Sequence, residues 1–228
     1  MPRNAMGSPS PIQGSCSPCQ PISRAEKSPS SWSPSFTTTS GSASLRTRPS
    51  SACSILRWVL PSRRTDTRVL AIVGAGVQGR SHLQMLPRVR PFSEIRIASG
   101  HVVHAEQLAA TDARAHAVET AEEAVRGADV VCLCTNAGEP VISPDWLAPG
   151  MHVTSVGYNP PGGELDPRVI ERGRLFVETR LAFEPPPAGC GELAGFDPSV
   201  GTELGEVLLG RSPGRQSKDE LTVYKAMG

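Results

Sequence analysis

From residue 67 onward the chain alternates two kinds of apolar pattern. A continuous apolar run stands at Val69–Val73, and shorter strand-like segments stand at Glu94–Ala98, Ala115–Val118 (a weak one), Asp129–Cys134, His152–Val156, Leu175–Glu178 and Leu221–Lys225. Between most of them lie segments that space their apolar residues for one helical face or carry helix-start signals: Val77–Leu86, His104–Ala110, Thr120–Arg126, Pro167–Glu171 and Glu203–Leu209. Continuous runs closed by glycine or turn residues predict strands covered on both faces, as in a parallel sheet. The spaced segments predict the helices that cover it. Pro87 limits the first helix. Thr120, with Glu123 three residues on, reads as a capping box, and Gly127 ends that helix. Thr135–Pro140 is a loop at the carboxyl end of the fourth strand, and the stretch from Pro185 to Gly201 is rich in Pro, Gly and acidic residues. Such alternation predicts an α/β fold, a doubly wound parallel sheet of Rossmann type with right-handed crossovers.

Residues 1–65 break this pattern. They are rich in Ser, Pro and Arg, hold one acidic residue, Glu26, and show no lasting apolar period. Such a segment buries too little apolar surface to offset its ordering entropy, so it is expected to be a disordered or irregular leader ahead of one folded domain over 66–228. Its composition formally resembles an organellar transit peptide without the amphipathic Arg/Leu period. A gene read out of frame is the favoured account.

A net charge of +1, with the basic excess in the leader, argues against nucleic acid as a partner. No apolar run approaches the ~20 residues of a membrane span. A cytoplasmic protein is therefore expected. Of six cysteines, Cys16 and Cys19 lack a second ligand pair, so no metal site is expected. Cys132 and Cys134 share one side of a buried strand and read as reduced core residues.

The candidate chemistry is at Gly74-Ala75-Gly76-Val77-Gln78-Gly79, where the first strand meets the first helix. Gly74 permits the tight turn, Gly76 lets the backbone approach a diphosphate, and Gly79 lets the helix sit close to the sheet. The N–H groups at the helix start then face phosphate oxygens. An NAD or NADP site is expected. NAD-selective sites place a carboxylate at the end of the second strand, about 20 residues beyond the glycines. Here Ala98-Ser99-Gly100-His101 stands there instead, with Ser99 and His101 as donors, which puts NADP ahead of NAD. Thr135 and Asn136, past the fourth strand, and Val156 and Gly157, at the end of the fifth, are further cofactor candidates.

Val69–Gly79 followed by Ser81-His82 resembles the ornithine cyclodeaminase and mu-crystallin family. Further matches are Gly127-Ala128-Asp129-Val130-Val131, Thr135 with Glu139-Pro140, Trp146 to Gly150, Val156-Gly157, Glu164-Leu165-Asp166, Leu204-Gly205-Glu206-Val207 and Thr222-Val223-Tyr224-Lys225. The resemblance covers about residues 67–228. It implies a nicotinamide cofactor, a small imino or amino acid substrate and homodimers, with dimerisation and substrate carboxylate binding in a second lobe not recognisable in this chain. Family activities span ornithine cyclisation with loss of ammonia, reduction of cyclic ketimines and amino acid oxidation. Cyclodeaminases carry an Asp after the Val-Gly pair, and Asn159 stands at that position. A carboxamide is no general base, so the resemblance implies reduction of a cyclic ketimine ahead of ornithine cyclodeamination, with Asn159 orienting the imine or the ribose. A nucleotide-binding remnant without catalysis is the remaining alternative. Glu164, Asp166 and Glu206 are expected to be caps or solvated charges.

Overall fold

The computed structural model describes residues 67–160 and 162–227. The expected leader over 1–65, with Cys16 and Cys19, lies outside the described residues.

Among the described residues eight strands form one sheet: β1 (Val69–Val73), β2 (Glu94–Ala98), β3 (Ala115–Ala117), β4 (Val130–Leu133), β5 (His152–Ser155), β6 (Arg174–Val177), β7 (Gly201–Glu203) and β8 (Thr222–Lys225). Their order is β3-β2-β1-β4-β5-β8-β6-β7, with every pairing parallel. The doubly wound sheet expected from the pattern is present. Five α-helices among the described residues accompany it: α1 (Val77–Met85), α2 (Val102–Ala109), α3 (Ala121–Val125), α4 (Pro167–Arg172) and α5 (Leu204–Leu208).

Successive side chains of a strand face opposite sides, and the two cores follow from that alternation. Leu70 and Ile72 of β1 pack with Leu83 of α1, Leu108 of α2 and Cys132 of β4. Ala71 and Val73 face the other way, among Ala124 and Val125 of α3 and Val169 and Ile170 of α4. Cys132 and Cys134 are buried free thiols in the first of these cores.

Differences from the predicted elements have local causes. Helix α2 starts at Val102, two residues before the expected His104, because Val102 and Val103 face outward and hide the start of the apolar period. Strand β7 was not expected, since Gly201-Thr202-Glu203 has no apolar side chain to mark it. Thr120 does cap α3, accepting the Glu123 N–H at 3.1 Å. The return bond of the box shifts by one residue, from the Glu119 N–H to Glu123 Oε2 at 3.0 Å.

Candidate cofactor and active site

The glycine loop lies where the sheet order reverses, between β1 and β4, at the carboxyl ends of the strands. Gly74 has φ +109°, and a Cβ there would overlap the Cys134 carbonyl. Its N–H donates to the Ala98 carbonyl at 2.8 Å. A Cβ on Gly79 would overlap the Gly74 carbonyl, so the start of α1 sits directly against the end of β1. Gly76 differs from both, because its Cβ position meets no atom within 4 Å. The helical ladder opens with Arg80 N to Gly76 O at 3.0 Å, and the N–H groups of Val77, Gln78 and Gly79 precede it. Ala75 is half-buried, Val77 and Gln78 are exposed, and the first turn holds no acidic residue. Free donors, the positive helix end and an open approach thus coincide, as an anionic diphosphate requires.

Beside this loop is a cavity of about 430 Å³ whose wall includes Gly74, Ser99, Gly100, Glu119, Thr135 and Val141. The fold therefore joins three of the expected residues, Gly74, Ser99 and Thr135. His101 is not among the lining residues; it is the N-cap of α2, its ring edge-on to His104 with centroids 5.3 Å apart.

The loops after β4 and β5 are held by one buried carboxylate. Glu164 accepts the Thr135 N–H and hydroxyl, each at 2.7 Å, through Oε2. Through Oε1 it accepts the Ser155 hydroxyl at 2.9 Å and the N–H groups of Val156 and Gly157 at 3.2 and 2.7 Å. Five donors satisfy a fully buried anion, so Glu164 is neither the cap nor the solvated charge expected from its position in a loop. Asp166 is a cap, accepting the Arg168 N–H at 2.8 Å, and the Arg168 guanidinium holds its carboxyl below the usual range. Glu206 pairs with Arg180 at 3.3 Å.

Below the same loop Lys225 ends β8 without exposed surface. Its Nζ lies 2.7 Å from Glu192 Oε2 and donates to Ser155 Oγ at 3.0 Å and to the Gly157 carbonyl at 2.5 Å. Burial pushes the Glu192 carboxyl above the usual carboxylate range, with Lys225 opposing. Lys225 stands among the family matches and Glu192 in the acidic stretch before Gly201, neither with an expected role; a charge closing a strand of otherwise buried residues was the available signal. Asn159 lies across the two loops, its Nδ2 donating to the Asn136 carbonyl at 3.2 Å. On the far side His82 bonds the Gln78 carbonyl through Nδ1 at 2.7 Å, and burial holds this imidazole below its ordinary pKa.

A family model described as "Ornithine cyclodeaminase/mu-crystallin family" matches residues 41–228, opening upstream of the first described strand. The chain is 36% identical over 162 residues to the ketimine reductase mu-crystallin of Mus musculus, covering 70% of this chain and 50% of that protein. It is 27% identical over 173 residues to the ornithine cyclodeaminase of Agrobacterium fabrum, covering 72% and 48%. Among solved structures it is similar to the Δ1-pyrroline-2-carboxylate reductase of Thermococcus litoralis in complex with NADH and L-proline, at 25% identity and a TM-score of 0.68. That match covers 78% of this chain and 57% of the other. The chain spans about half the length of the curated relatives it matches.

Proposed function

Because the chain belongs to the ornithine cyclodeaminase/mu-crystallin family, we propose that residues 67–227 form the cofactor half of a nicotinamide-dependent imine reductase. The observation that carries this reading is the Gly76 cradle, an open position above unpaired helix-start N–H groups where a Cβ would fill the space a diphosphate needs. Gly74 to Gly79 hold the diphosphate. Ser99 meets the adenosine end, and Thr135, Asn136, Val156 and Gly157 wall the nicotinamide end. When bound, the cofactor supplies hydride to an electrophilic carbon.

The chain's own residues orient and enclose. Glu164 ties the β4 and β5 loops into one edge, so that the nicotinamide end meets a fixed wall. Asn159 is a hydrogen-bonding amide without a titratable proton in the working range, which suits alignment of an already protonated cyclic imine better than the proton transfers of cyclodeamination. The similarity to a ketimine reductase and to a pyrroline-carboxylate reductase supports a small cyclic imino acid as substrate. Homodimer assembly belongs to the same proposal. NADP is favoured when only the residues after β2 are weighed.

Thermal melts of the 228-residue chain with and without NADH and NADPH test the reading. A cofactor at about a hundred times its Kd stabilises the folded state by roughly 2.7 kcal/mol. Gly76→Ala is expected to fold with an unchanged melt and to lose the shift, since the added methyl meets only the cofactor. No shift with either cofactor at millimolar concentration overturns the proposal.

A further inference from the structure

We infer that Glu119 selects the cofactor, setting a carboxylate beside the adenosine ribose and so favouring NAD over NADP. The inference rests on the nicotinamide-cofactor reading above and names a determinant that the glycine loop does not contain.

Weighing the chain along β2 alone favours NADP, because Ser99-Gly100-His101 carries no carboxylate. The sheet register changes that. Ile97 of β2 pairs with Ala117 of β3, and the Val118 N–H continues the ladder to the Ile97 carbonyl at 2.9 Å. Two residues beyond that pair come Ser99 and Glu119, just past the ends of neighbouring strands that lie about 4.8 Å apart in a sheet. Both line the cavity that opens beside Gly74.

The direction of the cofactor follows from the fold. With the diphosphate over Gly76 and the nicotinamide end over β4 and β5, the adenosine end runs toward β2 and β3. The ribose then lies at Ser99, next to Glu119.

The charge of that wall decides the selectivity. Glu119 is the one charged residue lining the cavity among the described residues; no Lys, Arg or His lines it. The Glu119 main chain is fixed, its N–H held by Glu123 Oε2 at 3.0 Å as part of the α3 cap. Neighbouring cations are committed elsewhere: Arg126 to Glu122 at 2.6 Å and Arg96 to Glu94 at 2.7 Å. A 2′-hydroxyl donates well to a carboxylate, whereas a 2′-phosphate meets a like charge with no cation in the wall.

Titration of the full chain with NADH and with NADPH, followed by nicotinamide fluorescence, gives a Kd for each. The expected result is tighter binding of NADH. Glu119→Gln is expected to narrow the ratio by about tenfold or more, mainly by tightening NADPH, the scale of a like-charge contact near a protein surface. Glu106→Gln removes the same charge from the exposed side of α2, outside the cavity wall and without releasing a paired cation, and is expected to leave the ratio unchanged. A wild-type preference for NADPH, or a ratio that Glu119→Gln does not move, overturns the role of Glu119 while leaving the cofactor site standing. Failure of the wild-type chain to bind either nucleotide overturns the functional reading itself, and this inference with it.

Discussion

Replacing Lys225 with Met keeps most of the side chain's volume and removes its ammonium from a place without solvent. In the native protein that ammonium lies 2.7 Å from Glu192, and both side chains are 0% exposed. Lys225→Met leaves Glu192 buried without its cation and removes the ammonium that bridges it to Ser155 and Gly157, both of which donate to the buried Glu164. Removing one partner of a buried pair costs about 3–5 kcal/mol, a large share of a domain's stability. For a domain of this size that is a fall in Tm of roughly 6–20 °C. The loss is expected to depend on pH. Burial already raises the Glu192 carboxyl, and without Lys225 it rises further. A carboxyl whose folded-state pKa exceeds its unfolded one binds its proton preferentially in the folded form, so it favours folding at acid pH and loses that contribution as pH rises through the folded value. The deficit relative to wild type should therefore shrink between pH 8 and pH 5. Urea melts of wild type, Lys225→Met and the double variant Lys225→Met with Glu192→Gln check this, with the double variant expected to recover a substantial part of the loss. A single variant within about 1 kcal/mol of wild type, or a deficit constant with pH, would refute the argument that an unpaired buried charge is the cause.

Other outcomes follow from the same geometry. His152 is fully buried against Thr222, and burial together with the nearby Arg215 guanidinium lowers its pKa from 6.5 to about 3. Its contribution is complete above the unfolded value and is lost as pH falls toward the folded one, so acidification from pH 7 to pH 5 costs about 2 kcal/mol through this ring. Urea melts at the two pH values check it, with His152→Gln expected to lose that part of the acid sensitivity. Gly79→Ala would drive a methyl into the Gly74 carbonyl and is expected to destabilise the domain by roughly 1–3 kcal/mol, in contrast to Gly76→Ala, as thermal melts of the two variants would show.

Strands β1 and β4 were legible because a parallel strand covered on both faces reads as an unbroken apolar run. The glycine loop was legible because each glycine answers a steric demand that a Cβ would violate or fill. The charges at Glu164, Glu192 and Lys225 were not. A sequence pattern shows that a charge is present, while its burial depends on which donors the fold brings around it, and the five donors to Glu164 come from two separate stretches of chain, Thr135 and Ser155 to Gly157. Glu119 escaped for a related reason. The usual place of a selective carboxylate lies along the chain at the end of β2, whereas the cavity wall runs across the sheet toward the end of β3.

Strand β8 lies between β5 and β6, yet it follows all seven other strands in the chain. On a ribosome, β6 and β7 emerge with only each other to pair with, while β1 to β5 assemble beside them. The two pieces stay unjoined until Thr222–Lys225 has been synthesised, at about 5–20 residues per second a delay of a few seconds after β6 appears. During that interval the facing edges of β5 and β6 present unpaired N–H and C=O groups, an invitation to intermolecular pairing.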